Sequence, residues 1–373
     1  MKKVQILHLV DFLGPGGAQE LIRLSIKMSS PEFTHKVVVL TGVKPYYEAS
    51  IRDAGAEVQY LSQFWKAGLV ISMPLLAARF RGILKQSQPD ILHLHMPGSM
   101  IVGSVGSLGL RLKRMLTIYA WRSAFAPWVF PCIRMLNPLF DGVCAVDRTE
   151  IPWVSDAKFV KYYSGVEQPI DFSAGVQGLR KEFMLDGREP LLFSIGRLHP
   201  DKGHADAMRA FTEVRKIFPR AVLFVIGEGG EKETRRLHDL SETLGGDGIV
   251  FTGHRSDLNS FLGLGGFFLR TSKNECGNMS TILVAFAGVV AIGYSMENVL
   301  RTEIEMIRDG QTGKIVPLGD FSQMAQEVVD LWRNRAEYDR LSAGSVRHAR
   351  GQWDIQHTLV DPVESAYHKI LLS

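Results

Sequence analysis

Short apolar runs recur along the chain, separated by stretches whose apolar positions repeat at helical spacing. The runs at residues 4–10, 36–40, 58–61, 91–95, 115–118, 142–146 and 158–163 read as strands buried on both faces, because they are short and hardly broken by polar residues. Helical spacing fills 18–28, the stretch through residue 51, and 75–86. After a looser polar segment at 171–190 the series restarts. Strands are expected at 191–195, 221–227, 249–252, 266–269, 289–292 and 314–316, with helices near 205–217 and 231–244. Two charged helices follow at 321–333 and 337–350, and a last one at 355–372. Alternation of strand and helix predicts a parallel, doubly wound sheet in each half. The expected organisation is α/β: a Rossmann-like domain over 1–170, a second over 171–354, and a C-terminal helix over 355–373. Ligands of such sheets bind beyond the carboxyl ends of the strands, here in a cleft that the two domains would face.

Composition narrows the class. Of 373 residues 46% are hydrophobic and 22% charged, which excludes a mainly disordered chain. The 36 glycines show no three-residue period, so they mark turns. Cys132, Cys144 and Cys276 form no CxxC pair, so neither a disulfide framework nor a zinc site is expected, and a reducing cytoplasm is the simplest location. Asp11 and the glycine-rich turn after it cut short the first apolar run, against a signal peptide. Residues 276–296 carry no charge, long enough to raise a membrane span; Gly288 followed by Val-Val-Ala-Ile reads instead as a helix end and a buried strand. Residues 1–172 hold 19 Lys and Arg against 13 Asp and Glu, whereas 173–373 hold 24 against 26. A basic first half suits an anionic substrate or membrane face, or a solvated surface.

Candidate chemistry clusters at strand ends. The turn Gly14-Pro15-Gly16-Gly17-Ala18 lets backbone N–H groups approach an anion at a helix N-terminus. It is not a dinucleotide fingerprint, because Gln19 stands where the third glycine is required. After the first strand of the second half come Gly196, Arg197 and Lys202, a guanidinium fork and a mobile ammonium able to share a diphosphate. Gly227 and Glu228 end the next strand. Glu275, near a later one, is placed to accept hydrogen bonds from sugar hydroxyls or simply to face a helix N-terminus. His93 and His95 alternate on one strand face; His95, nearer the carboxyl end, is a candidate ligand contact or an ordinary hydrogen-bonded core histidine. No DxD, GxSxG, HExxH or Walker lysine loop occurs, so no metal is expected at a diphosphate.

In order, Gly16-Gly17-Ala18-Gln19, Pro89-Asp90-Ile91-Leu92-His93-Leu94-His95, Tyr162-Tyr163-Ser164-Gly165-Val166, Gly196-Arg197-Leu198-His199-Pro200-Asp201-Lys202-Gly203, Val225-Ile226-Gly227-Glu228-Gly229, Phe251-Thr252-Gly253, Asp309-Gly310-Gln311-Thr312-Gly313 and Pro317-Leu318-Gly319-Asp320 span nearly the whole chain. Together they resemble the retaining glycosyltransferases of family 4, which have the GT-B fold. The resemblance implies a nucleotide-diphosphate sugar, UDP- or GDP-linked, bound mainly by the second domain, and an acceptor bound by the first. It implies no metal requirement and a last helix that crosses back to the first domain; no nucleic acid is expected as partner. On that pattern Gly16, Gly17, Gly196, Arg197, Lys202, Gly227, Glu228, Glu275, Asn278, Met279 and Ser280 hold the donor, with Arg197, Lys202 and Glu275 at the reacting diphosphate and sugar. His95, Tyr119 and Arg122 are the candidate acceptor or sugar contacts.

Three positions depart from the pattern. Leu283 replaces the second of two glutamates eight apart. The stretch 285–290 is about two residues short, and the connection after it, through Glu305, is longer and lacks a Gly-Gly. Tyr119 stands where a histidine is usual. The expectation is a cytoplasmic transferase of polysaccharide, lipopolysaccharide or glycolipid synthesis, peripheral at the inner membrane face through residues 64–70 and 121–130, stretches that read equally as core or interface. The rival readings are a catalytically impaired sugar-nucleotide-binding or scaffolding relative, and a sugar-nucleotide epimerase.

Overall fold

A computed structural model describes residues 3–14, 16–42, 45–62, 69–119, 126–168, 170–273, 279–295 and 306–372. The chain divides into two compact units, Met1–Gly165 with Ile355–Ser373, and Val166–Asp354.

In the first unit seven parallel strands pair in the order β3-β2-β1-β4-β5-β6-β7: β1 (Val4–Val10), β2 (Phe33–Val39), β3 (Glu57–Tyr60), β4 (Ile91–His95), β5 (Lys113–Ile118), β6 (Gly142–Ala145) and β7 (Phe159–Lys161). In the second, six parallel strands pair in the order β10-β9-β8-β11-β12-β13: β8 (Leu191–Ile195), β9 (Val222–Ile226), β10 (Ile249–Gly253), β11 (Phe267–Arg270), β12 (Val290–Tyr294) and β13 (Gly313–Val316). Each strand read from the apolar runs is present, with ends moved by up to three residues. Strands covered by helices on both faces must bury every side chain, which is why the runs are continuous. Leu7, Leu9, Leu92 and Leu94 pack one face of the first sheet, and Val10, Val37 and Val39 the other. In the second, Leu192, Leu223 and Val225 oppose Phe193, Phe224 and Val222.

Four helices lie outside the expected set: Pro97–Gly106, Val129–Leu136, Val176–Glu182 and Leu258–Gly263. The first is rich in Gly and Ser, a poor intrinsic helix. It forms because its small residues let it press on the sheet and the next helix, Gly103 against Leu94 and Gly106 against the Ala77 carbonyl. The uncharged segment near 276–296 resolves, where described, into the helix Met279–Ala287, a stop at Gly288, and β12 in the sheet core. No helix among the described residues is long and apolar enough to cross a membrane.

The helix Asp361–Leu372 belongs to the first unit. Its Glu364 accepts hydrogen bonds from the Ser29 hydroxyl (2.6 Å), the Ser30 amide (2.7 Å) and the Ser30 hydroxyl (2.5 Å), and Tyr367 reaches His93 (2.6 Å). Cys132 and Cys144 are free thiols; Cys276 lies outside the described residues. Of the stretches expected at a membrane, 64–68 and 121–125 also lie outside them. Within the second, Trp128 is exposed, whereas Val129 and Phe130 are core residues.

Candidate functional site

Both sheets reverse direction of growth once: after β1 the chain crosses to β2 and later returns beside β1 as β4, and β8 and β11 repeat the manoeuvre. Loops leaving the two strands at such a reversal part to opposite faces and leave a crevice between them.

At the β8–β11 reversal the loops are knitted by backbone. The Gly196 amide donates to the Ile226 carbonyl (2.9 Å), Gly227 to Gly253 (2.9 Å), and Leu198 to Glu228 (3.0 Å). Gly227 has φ +145°, and a Cβ there would collide with the Gly196 carbonyl oxygen, so only glycine lets the loops after β8 and β9 meet. Gly203, at φ +67°, passes equally close to the Thr271 carbonyl after β11. The Thr271 hydroxyl donates to the Lys202 carbonyl (3.0 Å), and the Lys273 amide to Asp201 (2.8 Å). The segment from Arg197 to Gly203 is thereby tied to the ends of β9 and β11. The amides of Arg197 and Glu228 have no protein acceptor among the described residues. The Arg197 side chain is exposed, and the Lys202 stem lies along Gly196.

His204, the first residue of the next helix and 2% exposed, had no role in the sequence reading. Its Nδ1 lies 2.7 Å from the Ser194 hydroxyl, and its Nε2 is 3.2 Å from the Arg197 carbonyl. Burial lowers its pKa to about 4, so the ring is neutral. A carbonyl only accepts; hence Nε2 carries the proton and donates to Arg197, while Ser194 donates to Nδ1. His204 therefore pins the backbone of the loop that carries Arg197. Its sequence signal was a histidine directly after Lys202-Gly203 at a helix start.

Met279 and Ser280 open the helix Met279–Ala287. Glu275 and Asn278 lie outside the described residues, as does Arg122. Leu283, in place of the second glutamate, is half-buried against the apolar layer that contains Val284 and Phe261.

At the β1–β4 reversal the first unit uses side chains. Gly16 accepts from the Glu20 amide (3.2 Å) as the helix Gly17–Lys27 begins, and Gly17 has open space where a Cβ would lie. Asp11, just past β1, accepts from the amides of Gly98 (3.0 Å) and Ser99 (2.5 Å). It caps from outside a helix whose own N-cap, Met96, offers no side-chain bond. Burial raises its pKa to about 6 against the pull of those donors. The sequence reading used Asp11 only as a break in an apolar run.

His95 is 2% exposed, with Nε2 2.9 Å from His8 Nδ1 and Nδ1 2.7 Å from the Tyr119 hydroxyl. It stands behind Tyr119, and Tyr119 is the more accessible of the pair. The ring nitrogens of His8, His93 and His95 come within 4.8 Å of one another, a spacing that would suit a metal. These nitrogens are engaged, however: His8 by His35 and His95, and His93 by Tyr367 and Thr117. A metal would have to break these bonds.

Two parallel α/β sheets of this order are the GT-B architecture. Residues 31–159 match the family described as glycosyl transferase 4-like domain, and residues 189–334 the family described as glycosyl transferases group 1; the chain belongs to the glycosyltransferases. It is 22% identical over 312 residues to N-acetyl-alpha-D-glucosaminyl L-malate synthase of Bacillus anthracis, covering 79% of each chain. It is 24% identical over 305 residues to phosphatidyl-myo-inositol mannosyltransferase of Mycobacterium leprae, covering 76% of this chain and 75% of that one. Among solved structures, Anabaena HepE in complex with UDP-glucose has the same fold at a TM-score of 0.83, with 15% identity over 98% of this chain and 99% of that one.

Proposed function

We propose that the chain transfers a sugar, with retention of anomeric configuration, from a UDP- or GDP-linked donor to a hydroxyl of a saccharide or lipid-linked acceptor in cell-envelope synthesis. The observation that carries this reading is the knitted loop at the β8–β11 reversal. It presents Arg197, Lys202 and the unpartnered amides of Arg197 and Glu228 from one fixed backbone. Such a loop suits a diphosphate: two cations and oriented N–H dipoles meet the charge that grows on the leaving group. The bond from anomeric carbon to diphosphate breaks, the acceptor oxygen bonds to that carbon, and the acceptor's proton leaves with the diphosphate. Catalysis then rests on positioning and charge stabilisation, with no metal required.

The relatives support a sugar donor and a small or lipid-linked acceptor: one is by name a glucosaminyl L-malate synthase, one a mannosyltransferase of phosphatidyl-myo-inositol, and HepE is seen with UDP-glucose. Contact with an anionic membrane face is proposed for the first unit. Its helices and the turns beside them display Leu75, Val105, Leu108, Trp128 and Met135, and its half of the sequence holds the excess of basic residues.

The test is a melting screen with nucleotide-diphosphate sugars in metal-free buffer. A donor at one hundred times its dissociation constant adds about 2.7 kcal/mol of stability. The expected result is a shift with one nucleotide class, lost in Arg197→Ala and Lys202→Ala and unchanged by EDTA, followed by transfer of the sugar. No shift with any donor would sink the proposal.

A further inference from the structure

On one face of the first sheet, four histidines and two tyrosines form two hydrogen-bonded files, one ending at Tyr119 and the other at Thr117. The first crosses strands: His35 Nδ1 lies 2.9 Å from His8 Nε2, His8 Nδ1 lies 2.9 Å from His95 Nε2, and His95 Nδ1 lies 2.7 Å from the Tyr119 hydroxyl. The second starts on the C-terminal helix. The Tyr367 hydroxyl is 2.6 Å from His93 Nδ1, and His93 Nε2 is 2.6 Å from the Thr117 hydroxyl. Strand register makes this possible, because His8 lies opposite His93 and His95 opposite Thr117.

Burial keeps all four rings neutral, with His35 lowered to about 4, His93 to about 3, and His8 and His95 well below the usual histidine range. A neutral imidazole has one N–H, so each ring accepts at one nitrogen and donates at the other, and the ends of a file set its direction. Tyr367 is 1% exposed, and His93 is its one hydrogen-bond partner among the described residues. Its hydroxyl must therefore donate, which leaves His93 protonated on Nε2 and donating to Thr117.

The first file ends at His35 Nε2, which is buried without a partner. A buried N–H with no acceptor is rarer than a buried lone pair with no donor. His35 therefore holds its proton on Nδ1 and donates to His8; His8 donates from Nδ1 to His95, and His95 from Nδ1 to Tyr119. The first file thus delivers a hydrogen bond into the phenol oxygen of Tyr119.

We propose that the first file is a positioning device that fixes Tyr119 as a hydrogen-bond donor, its oxygen filled by His95 and its own proton left for a lone pair on the bound sugar substrate. The identity of that ligand rests on the transferase reading; the direction of the files does not. A histidine in the same place would be free to donate or accept by changing tautomer, whereas this tyrosine selects ligands that present a lone pair.

Imidazole nitrogen NMR on 15N-histidine-labelled protein, assigned with single His→Gln variants, reads the tautomers directly. The expected pattern is Nδ1–H on His8, His35 and His95, Nε2–H on His93, and no ring protonation down to pH 5. His95 protonated on Nε2 would mean a reversed file and would overturn the proposal. So would a transition metal retained at one per chain on His8, His93 and His95.

The functional arm measures affinity and transfer rate with the UDP- or GDP-sugar that gives the melting shift. His35→Leu removes the end donor and should reduce transfer about tenfold, the worth of one hydrogen bond. His35→Asn keeps an amide N–H where Nδ1 lay and should restore it. In a Tyr119→Phe background His35→Leu should change nothing further; an equal loss there would show a merely structural role. If no nucleotide sugar binds at all, the transferase reading fails while the tautomer pattern still decides the direction of the files.

Discussion

At the β1–β4 reversal the first unit stacks four imidazoles and two phenols on the sheet, while at the β8–β11 reversal the second brings loop backbone onto loop backbone around a single buried histidine, His204. Each unit has to fix the same kind of feature, the first residues beyond a parallel strand. A side-chain network does so through protons, so its integrity depends on pH. A glycine-knit backbone does so through close approach, so apart from His204 it is indifferent to pH, and it is intolerant of one added carbon.

The largest expected effect follows from that contrast. A histidine whose pKa is lowered in the fold is neutral there and charges more readily in the unfolded chain. Its contribution is therefore complete above about pH 6.5 and falls as pH drops toward the folded value. At pH 5 each such histidine withdraws on the order of 2 kcal/mol. The first unit has His8, His35, His93 and His95 in this state; the second has His204. Asp11, raised to about 6, acts in the opposite sense, since it is more easily protonated in the fold, and returns about 1 kcal/mol between pH 7 and 5. Hydrogen exchange from pH 7 to pH 5 should show the first unit losing protection well before the second. Equal loss in both would break the comparison.

Next comes a pair of glycines. Gly227→Ala places a Cβ in the Gly196 carbonyl at φ +145° and should destabilise the second unit by about 2–4 kcal/mol, abolishing the nucleotide-sugar melting shift. Gly17→Ala meets open space at the start of a helix and should stay within about 0.5 kcal/mol. Denaturant midpoints of the two variants measure both. A mild Gly227→Ala would mean that the knit is not what holds the loop.

A smaller effect is expected where the first unit does use an ionisable group on backbone. Asp11→Ala leaves the Gly98 and Ser99 amides without their acceptor and should reduce stability by about 1–3 kcal/mol, read as a fall in melting temperature at pH 7. If Asp11→Ala melts as the parent does, water replaces the carboxylate at that helix end.

The sheets were legible because strands buried on both faces must be continuous apolar runs, and residues 4–10, 91–95 and 191–195 were read to the residue. Pro97–Gly106 was not, since its helix is made by packing against Leu94 and Ala77 and its own propensity argues the other way. The loop that carries Gly196, Arg197 and Lys202 was legible as a glycine-bearing turn at a strand end, and the structure joins it through backbone bonds to the turn at Gly227. His204 and the histidine file that ends at Tyr119 were not. His35, His8 and His95 are 27 and 87 positions apart, and they touch only because β1 pairs with both β2 and β4, a fact of topology that no local pattern carries.

The smallest effect concerns the outer helices of the first unit. Trp128, half-exposed at 48%, and Leu75, at 56%, sit on or beside helices that cover the Leu-rich face of the sheet, and both are spared the core that takes Val129 and Phe130. A side chain with about half its surface in water offers on the order of 1 kcal/mol to an apolar phase, so no single residue would anchor the chain. Cooperation with the basic excess of the first half is what would make contact measurable, and that component should fade with salt. Co-sedimentation with vesicles containing anionic lipid should therefore exceed that with zwitterionic vesicles. Trp128→Ser and Leu75→Ser should each weaken binding by a few-fold and leave the melting temperature within about a degree, because neither is a core residue. Binding that survives both substitutions and high salt would move the contact off these helices, and no binding to either vesicle would leave the acceptor to be met in solution.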